Sequence, residues 1–209
     1  MGVSPGHEVS LTPAYFDARY AAAADPWNLA TSWYERHKYD VTLASLPNER
    51  YALAYEPACS IGVLTRGLAA RCDRLLAVDC AADAVAAAAR AVADLPHVHV
   101  ARAVLPEDLP EERFDLIVLS EFLYYLSLRD LELLVDRVID ALLPGGHLVC
   151  VHRRDGSGPW EGAEVHQVVL SRSRLPVVVR HEEAGFLLHV LEAPTRATPW
   201  RGPRPRPGG

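Results

Sequence analysis

The spacing of apolar residues changes near Pro47. Before it, residues 13–46 have helical periodicity: "PAYFDARYAAAA", a break at "DPW", then "TSWYERHKYDVTLASL". Thr31 or Ser32 is placed to cap the second segment, with Glu35 in its first turn. Beyond Pro47, short β-rich runs alternate with helical segments. They read "YALAYE", "LTRGLAARC", "RLLAVD", "AADAVAAAARAVADL", "HVHVAR", "FDLIVLSE", "SLRDLELLVDRVIDALL" and "GGHLVCVH". Such alternation predicts a parallel sheet covered on both faces, and a continuously apolar run such as "DLIVLS" suits a central strand. In the last third, "EGAEVHQVVLSRS" predicts a helix. The strands "VVVRHEE" and "FLLHVLEA" follow, joined only by "AG". That connection is too short for a parallel crossover, so the two strands should pair antiparallel.

The expected fold is therefore α/β and Rossmann-like, with a seven-stranded, mostly parallel sheet ending in an antiparallel hairpin and helices on both faces. This is the layout of class I methyltransferases. We expect one domain overall: a flexible N-terminus at 1–12, lid helices at 13–46, a core at 47–193 and a disordered Pro/Arg/Gly tail at 194–209. A length of 209 residues is enough to bury a substantial core. A net charge of -6 argues against a nucleic-acid partner, and the one basic cluster lies in the terminal "RGPRPRPGG". No apolar run approaches the roughly 20 residues that span a bilayer, and the N-terminus lacks a secretory pattern. The expectation is a cytoplasmic protein without a membrane partner. Cys59, Cys72, Cys80 and Cys150 are far apart and form no CxxC, which suggests reduced, buried thiols and no metal site.

Candidate chemistry concentrates where "YALAY" runs into "EPACSIGVLT", a strand, turn and helix in the order that cradles a nucleotide cofactor. The dinucleotide pattern GxGxxG would need glycines at Ala58, Ser60 and Val63, and all three fail. The methyltransferase pattern E/D-x-G-x-G-x-G aligns with Glu56 and Gly62, with Ala58 and Ser60 at the other glycine positions. This register favours S-adenosylmethionine over NAD. Asp79 ends the next strand, at the right distance to accept hydrogen bonds from ribose hydroxyls; the alternative for it is a helix cap. Alanine for glycine costs little where φ is negative and is strained where φ is positive.

At "YYL", Tyr124–Leu126, the chain resembles the NodS-like family of S-adenosylmethionine-dependent N-methyltransferases. The likeness covers roughly residues 15–192. It rests on "YFDARYAAAADPWNLATSWYERHKYDVTLASLP", "CSIGVLTRGLAARCDRLLAVD", "FDLIVLSEFLYYL" and "GAEVHQVVL". The resemblance implies N-terminal helices over the cofactor and methyl transfer to an amine. The chain departs from the family twice. Its loop reads "EPACSIG" against E-x-G-C-G-x-G, and Ala103-Val104 replaces the usual Gly-Asp that contacts adenine, leaving Asp108 as a candidate substitute.

Glu121 follows the fourth strand, where it can orient an amine or accept its proton, or else cap the next helix. Ser120 ends that strand beside it, on the cofactor side. Tyr124 or Tyr125 can line the substrate cleft or pack in the core. His166 is a candidate second base or a structural histidine, and His152 poses the same choice. Trp27 can cover the cofactor, with Tyr34 or Lys38 reaching it from the lid, or these can simply pack on the domain. The expected function is methylation of a small-molecule amine or amino sugar, with a hydroxyl acceptor also open. The alternative is a catalytically silent binding or scaffold protein with a weakened cofactor site.

Overall fold

The computed structural model describes residues 8–154 and 160–195. The elements in chain order are α1 (Pro13–Ala22), α2 (Trp33–Ala44), β1 (Tyr51–Pro57), α3 (Val63–Ala69), β2 (Cys72–Asp79), α4 (Ala82–Ala91) and β3 (Val98–Arg102). There follow β4 (Phe114–Ser120), a single helical turn at Leu123–Tyr125, α5 (Leu128–Ala141), β5 (Leu142–Arg153), α6 (Gly162–Ser173), β6 (Val177–Glu182) and β7 (Phe186–Glu192). Seven strands form one sheet in the order β3-β2-β1-β4-β5-β7-β6. The first five are parallel, and β7 pairs antiparallel with both β5 and β6. The expected class I methyltransferase layout is thus observed, with the hairpin's second strand inserted against β5.

Strand β4 shows why the sheet is covered twice. Ile117 and Leu119 pack with Leu131, Leu134, Val135 and Val138 of α5 on one face. Leu116 and Val118 point the other way and pack with Leu64 and Leu68 of α3. The period of two along the strand therefore feeds two cores. Local chemistry sets the helix starts. Ser32, one of the two expected caps, accepts from the Glu35 N–H at 3.4 Å, and the Ser127 hydroxyl accepts from the Asp130 N–H at 3.2 Å. Glu161 and Glu164 form a reciprocal capping box on α6.

Much of the expected flexible 1–12 segment and 194–209 tail lies outside the described residues. Ser10 and Leu11, which are described, are tied down: the Leu11 N–H donates to Tyr125 O at 2.9 Å, and the Ser10 hydroxyl donates to Asp130. All four cysteines are free thiols; three are buried and Cys80 is half-buried. No helix of the described residues is long and apolar enough to cross a membrane.

Candidate active site

Strand order reverses between β1, whose next strand in sequence lies on one side, and β4 on the other. That switch point opens a crevice at the carboxyl ends of the strands. A cleft of about 200 Å³ lies there. Of the residues expected from the sequence, Trp27, Glu56, Ala58, Ser60, Asp79, Ser120, Glu121 and Tyr124 all line it. Gly62 stands just behind, at the start of α3.

The loop after β1 answers the question that its composition raises. Ala58, Ser60 and Gly62 all have positive φ, at 56°, 52° and 83°. These are the three glycine positions of the methyltransferase pattern, and the backbone keeps the glycine conformation with side chains at two of them. A Cβ at Gly62 would lie 3.0 Å from Ala88 Cα of α4, so glycine is required there on two counts. Ala58 tolerates its place because its side chain packs against the main core cluster. The strain at Ala58 is about 1 kcal/mol. Ala58→Gly is accordingly expected to raise Tm by about 2–4 °C, as read by scanning calorimetry.

Asp79 is buried at the end of β2. Its Oδ2 accepts from the Ser60 N–H and its Oδ1 from the Ala81 N–H, both at 2.9 Å. It does not cap α4, whose N-cap is Ala81; it holds the loop after β1 through Ser60. A carboxylate has about four acceptor sites, so lone pairs are left for ribose hydroxyls on the cleft side. Burial raises the Asp79 carboxyl above its ordinary range, against the lowering effect of these backbone N–H groups. Glu56 is only 2% exposed. Burial pushes its carboxyl up to about 8, opposed by the nearby Thr65 hydroxyl and reinforced by Asp79. No well-aligned hydrogen bond reaches Glu56 Oε2 or the Thr65 hydroxyl. An orphaned buried acceptor beside a left-handed loop fits the ammonium of an amino-acid moiety, which would supply the missing donor.

Ala103, Val104 and Leu105 form an apolar wall of the cleft. Asp108 does not substitute for the missing adenine acid: it is exposed, lies outside the cleft lining, and its carboxylate accepts from the Val104 N–H at 2.9 Å.

At the other end, Glu121 caps no helix. It has φ 61°, in the left-handed region, immediately after β4. Its Oε2 accepts from the Tyr124 hydroxyl at 2.6 Å, and its Oε1 lies 2.9 Å from Lys38 Nζ. Lys38 also pairs with Glu35 at 2.8 Å and sits 4.9 Å from the Tyr34 ring centre. Lys38 is fully buried; neither it nor Tyr34, whose hydroxyl donates to Gly185 O, lines the cleft. The expectation that these two contact the cofactor gives way to a different role, which is to anchor α2 and fix Glu121. Burial, then the neighbouring Glu121 charge, raises the Tyr124 phenol well above its usual range, so it acts as a donor.

His166 does not reach the cleft. It lies inside a buried ladder, with its Nε2 3.0 Å from His152 Nδ1 and its Nδ1 2.7 Å from His189 Nδ1. The Leu123 N–H donates to His152 Nε2 at 3.4 Å. Because that nitrogen accepts, His152 must carry its proton on Nδ1 and donate to His166, which in turn donates to His189. The base role expected for His166 is therefore replaced by a structural one. Burial, then His189, lowers His166 to about 3 from 6.5, and burial also lowers His152 and His189. Between pH 6.5 and about 3 the unfolded chain takes up a proton that folded His166 refuses. Stability from this source is intact above pH 6.5 and lost on acidification, by about 2 kcal/mol at pH 5. NMR of the imidazole rings should show no titration of His166 between pH 8 and pH 5.

Several cleft residues were not singled out in the sequence as site residues: Tyr20, Phe16, Glu35, Tyr39 and Arg153. Helical spacing offered a signal for some. Phe16 and Tyr20 are four apart on α1, as are Glu35 and Tyr39 on α2, so each pair shares one helix face.

Sheet order, a left-handed loop after β1 and an acid ending β2 define an S-adenosylmethionine-dependent class I methyltransferase. A profile of the Nodulation protein S (NodS) family matches residues 16–186, and the chain belongs to that family. Nodulation protein S from Rhizobium tropici is 33% identical over 165 residues, covering 76% of this chain and 69% of that protein. N-methyltransferase NodS from Bradyrhizobium japonicum WM9, solved in complex with S-adenosyl-L-homocysteine, matches at 28% identity and TM-score 0.78, over 87% of this chain and 98% of that one. A methyltransferase candidate from Pseudomonas syringae is 40% identical with TM-score 0.70, over 77% and 99% of the two chains.

Proposed function

We propose that this S-adenosylmethionine-dependent methyltransferase carries its methyl group to the nitrogen of a small-molecule amine, amino sugars included. The observation that carries the proposal is Glu121, a carboxylate at the end of β4, fixed by Lys38 and Tyr124 and facing the cleft. S-adenosylmethionine brings a methyl bonded to a cationic sulfur, open to in-line attack by a neutral nitrogen. The chain's own residues hold and orient. The loop from Ala58 to Gly62, Glu56 and Asp79 would hold the amino-acid and ribose parts, and Ala103 to Leu105 would offer an apolar surface to the adenine. Glu121 accepts a hydrogen bond from the acceptor's N–H and receives the proton that an ammonium must shed. Phe16, Tyr39, Tyr124, Tyr125 and Leu126 wall the acceptor end and exclude water.

The N-methyltransferase named among the solved relatives supports nitrogen as the methylated atom. D-glucosamine and D-glucose, matched apart from the amine, make the test. With S-adenosylmethionine, mass spectrometry should find methylated glucosamine and no methylated glucose. Methylation of both at equal rates contradicts a nitrogen acceptor.

A further inference from the structure

The serine standing at a glycine position of the cofactor loop puts a hydroxyl where the pattern has none. Ser60 Oγ lies 2.5 Å from the Tyr20 hydroxyl, and either can donate. Tyr20 is 6% exposed on α1, and its ring meets Trp27 edge-on at 5.4 Å. Ser60 is itself pinned from below, since its N–H donates to Asp79. One turn earlier on α1, Asp17 accepts from the Ala82 N–H at 3.2 Å and pairs with Arg102 at 3.4 Å. On the same face as Tyr20, one turn earlier, the Phe16 ring meets Tyr125 edge-on at 5.2 Å.

Helix α1 therefore bridges the two ends of the cleft. Its polar contacts with the cofactor end are Tyr20–Ser60 and those of Asp17, beside the packing of the Tyr20 ring with Ala81 and Ala84. The Asp17–Arg102 pair is about half exposed on both sides, so water screens it and it holds little. In the hydroxyl pair Tyr20 is buried and Ser60 half-buried, and opening it exchanges their hydrogen bond for bonds to water. A glycine at position 60 could not make this contact.

We propose that Tyr20 and Ser60 form a latch that closes α1 over the cofactor, so that the serine slows cofactor release and does not merely crowd the loop. Tyr20 is then a positioning residue of the cofactor site. The proposal rests on the S-adenosylmethionine reading of the cleft, and the two can fail separately. Release of S-adenosylhomocysteine is followed by stopped-flow displacement, and hydrogen exchange of the α1 amides is followed in the ligand-free protein. Tyr20→Phe should speed release roughly three- to tenfold and accelerate α1 exchange. Ser60→Gly should do the same although it relieves left-handed strain and raises Tm, and the double variant should be no worse than either single one. If Ser60→Gly binds S-adenosylhomocysteine more tightly, the serine is an obstruction and the latch is wrong. Unchanged α1 exchange in both variants also overturns it. A wild type that does not bind S-adenosylhomocysteine removes the cofactor reading, and the gate with it.

Discussion

Glu121→Gln is expected to lower kcat/KM for an amine acceptor by about 10²-fold or more, while affinity for S-adenosylhomocysteine stays within about twofold. The substitution keeps the size and shape of the side chain and removes its charge. Lys38 retains Glu35 at 2.8 Å, so the buried ammonium is not left alone. Tyr124 can still donate to the amide oxygen. What disappears is the carboxylate that draws in a cationic amine and takes its proton. A merely structural Glu121 would show a lower Tm with little change in turnover per folded molecule. Acceptor turnover and the melting curve of the same preparation, compared with wild type, separate these outcomes.

The second large effect is expected at Gly62. Gly62→Ala places a Cβ 3.0 Å from Ala88 Cα and 3.2 Å from Ala88 Cβ, at a φ of 83°. Left-handed strain of about 1–2 kcal/mol adds to an overpacking cost of about 1–3 kcal/mol. The loss should total roughly 2–5 kcal/mol, a fall in Tm of roughly 4–20 °C for a domain of this size. Neither partner can yield easily, because α3 and α4 both start beside the loop and pack on the sheet. Relaxation must then come from the loop, so cofactor affinity should fall together with stability. The contrast with Ala58→Gly, which is expected to stabilise, makes the pair informative. One position has found room for its side chain, and the other has none.

"FDLIVLS" announced a central strand because both of its faces are buried, and the two-residue "AG" connection announced an antiparallel hairpin because nothing else fits. The register of Glu56 and Gly62 picked out the left-handed turn that lines the cleft. The sign of φ at Ala58 and Ser60 was beyond reach, because it depends on how the loop turns between β1 and α3. The partners of Glu121 were equally hidden: Lys38 and Tyr124 lie 83 and three residues away in the chain and meet only in the fold. His166 misled for a similar reason. A histidine on an apolar helix face reads alike whether it faces a cleft or two other buried histidines from β5 and β7. Asp108 could be seen as an acid near the adenine region, but not as one already engaged by the Val104 N–H.

A loop with one glycine in place of three is expected still to bind the cofactor. Isothermal titration with S-adenosylhomocysteine tests it most directly. Saturable binding well below millimolar ligand is expected, with a heat that depends on buffer ionisation near pH 7, because a ligand ammonium against Glu56 would expel the proton that burial retains there up to about 8. No binding at millimolar ligand, in a protein whose melting curve is intact, would contradict the account.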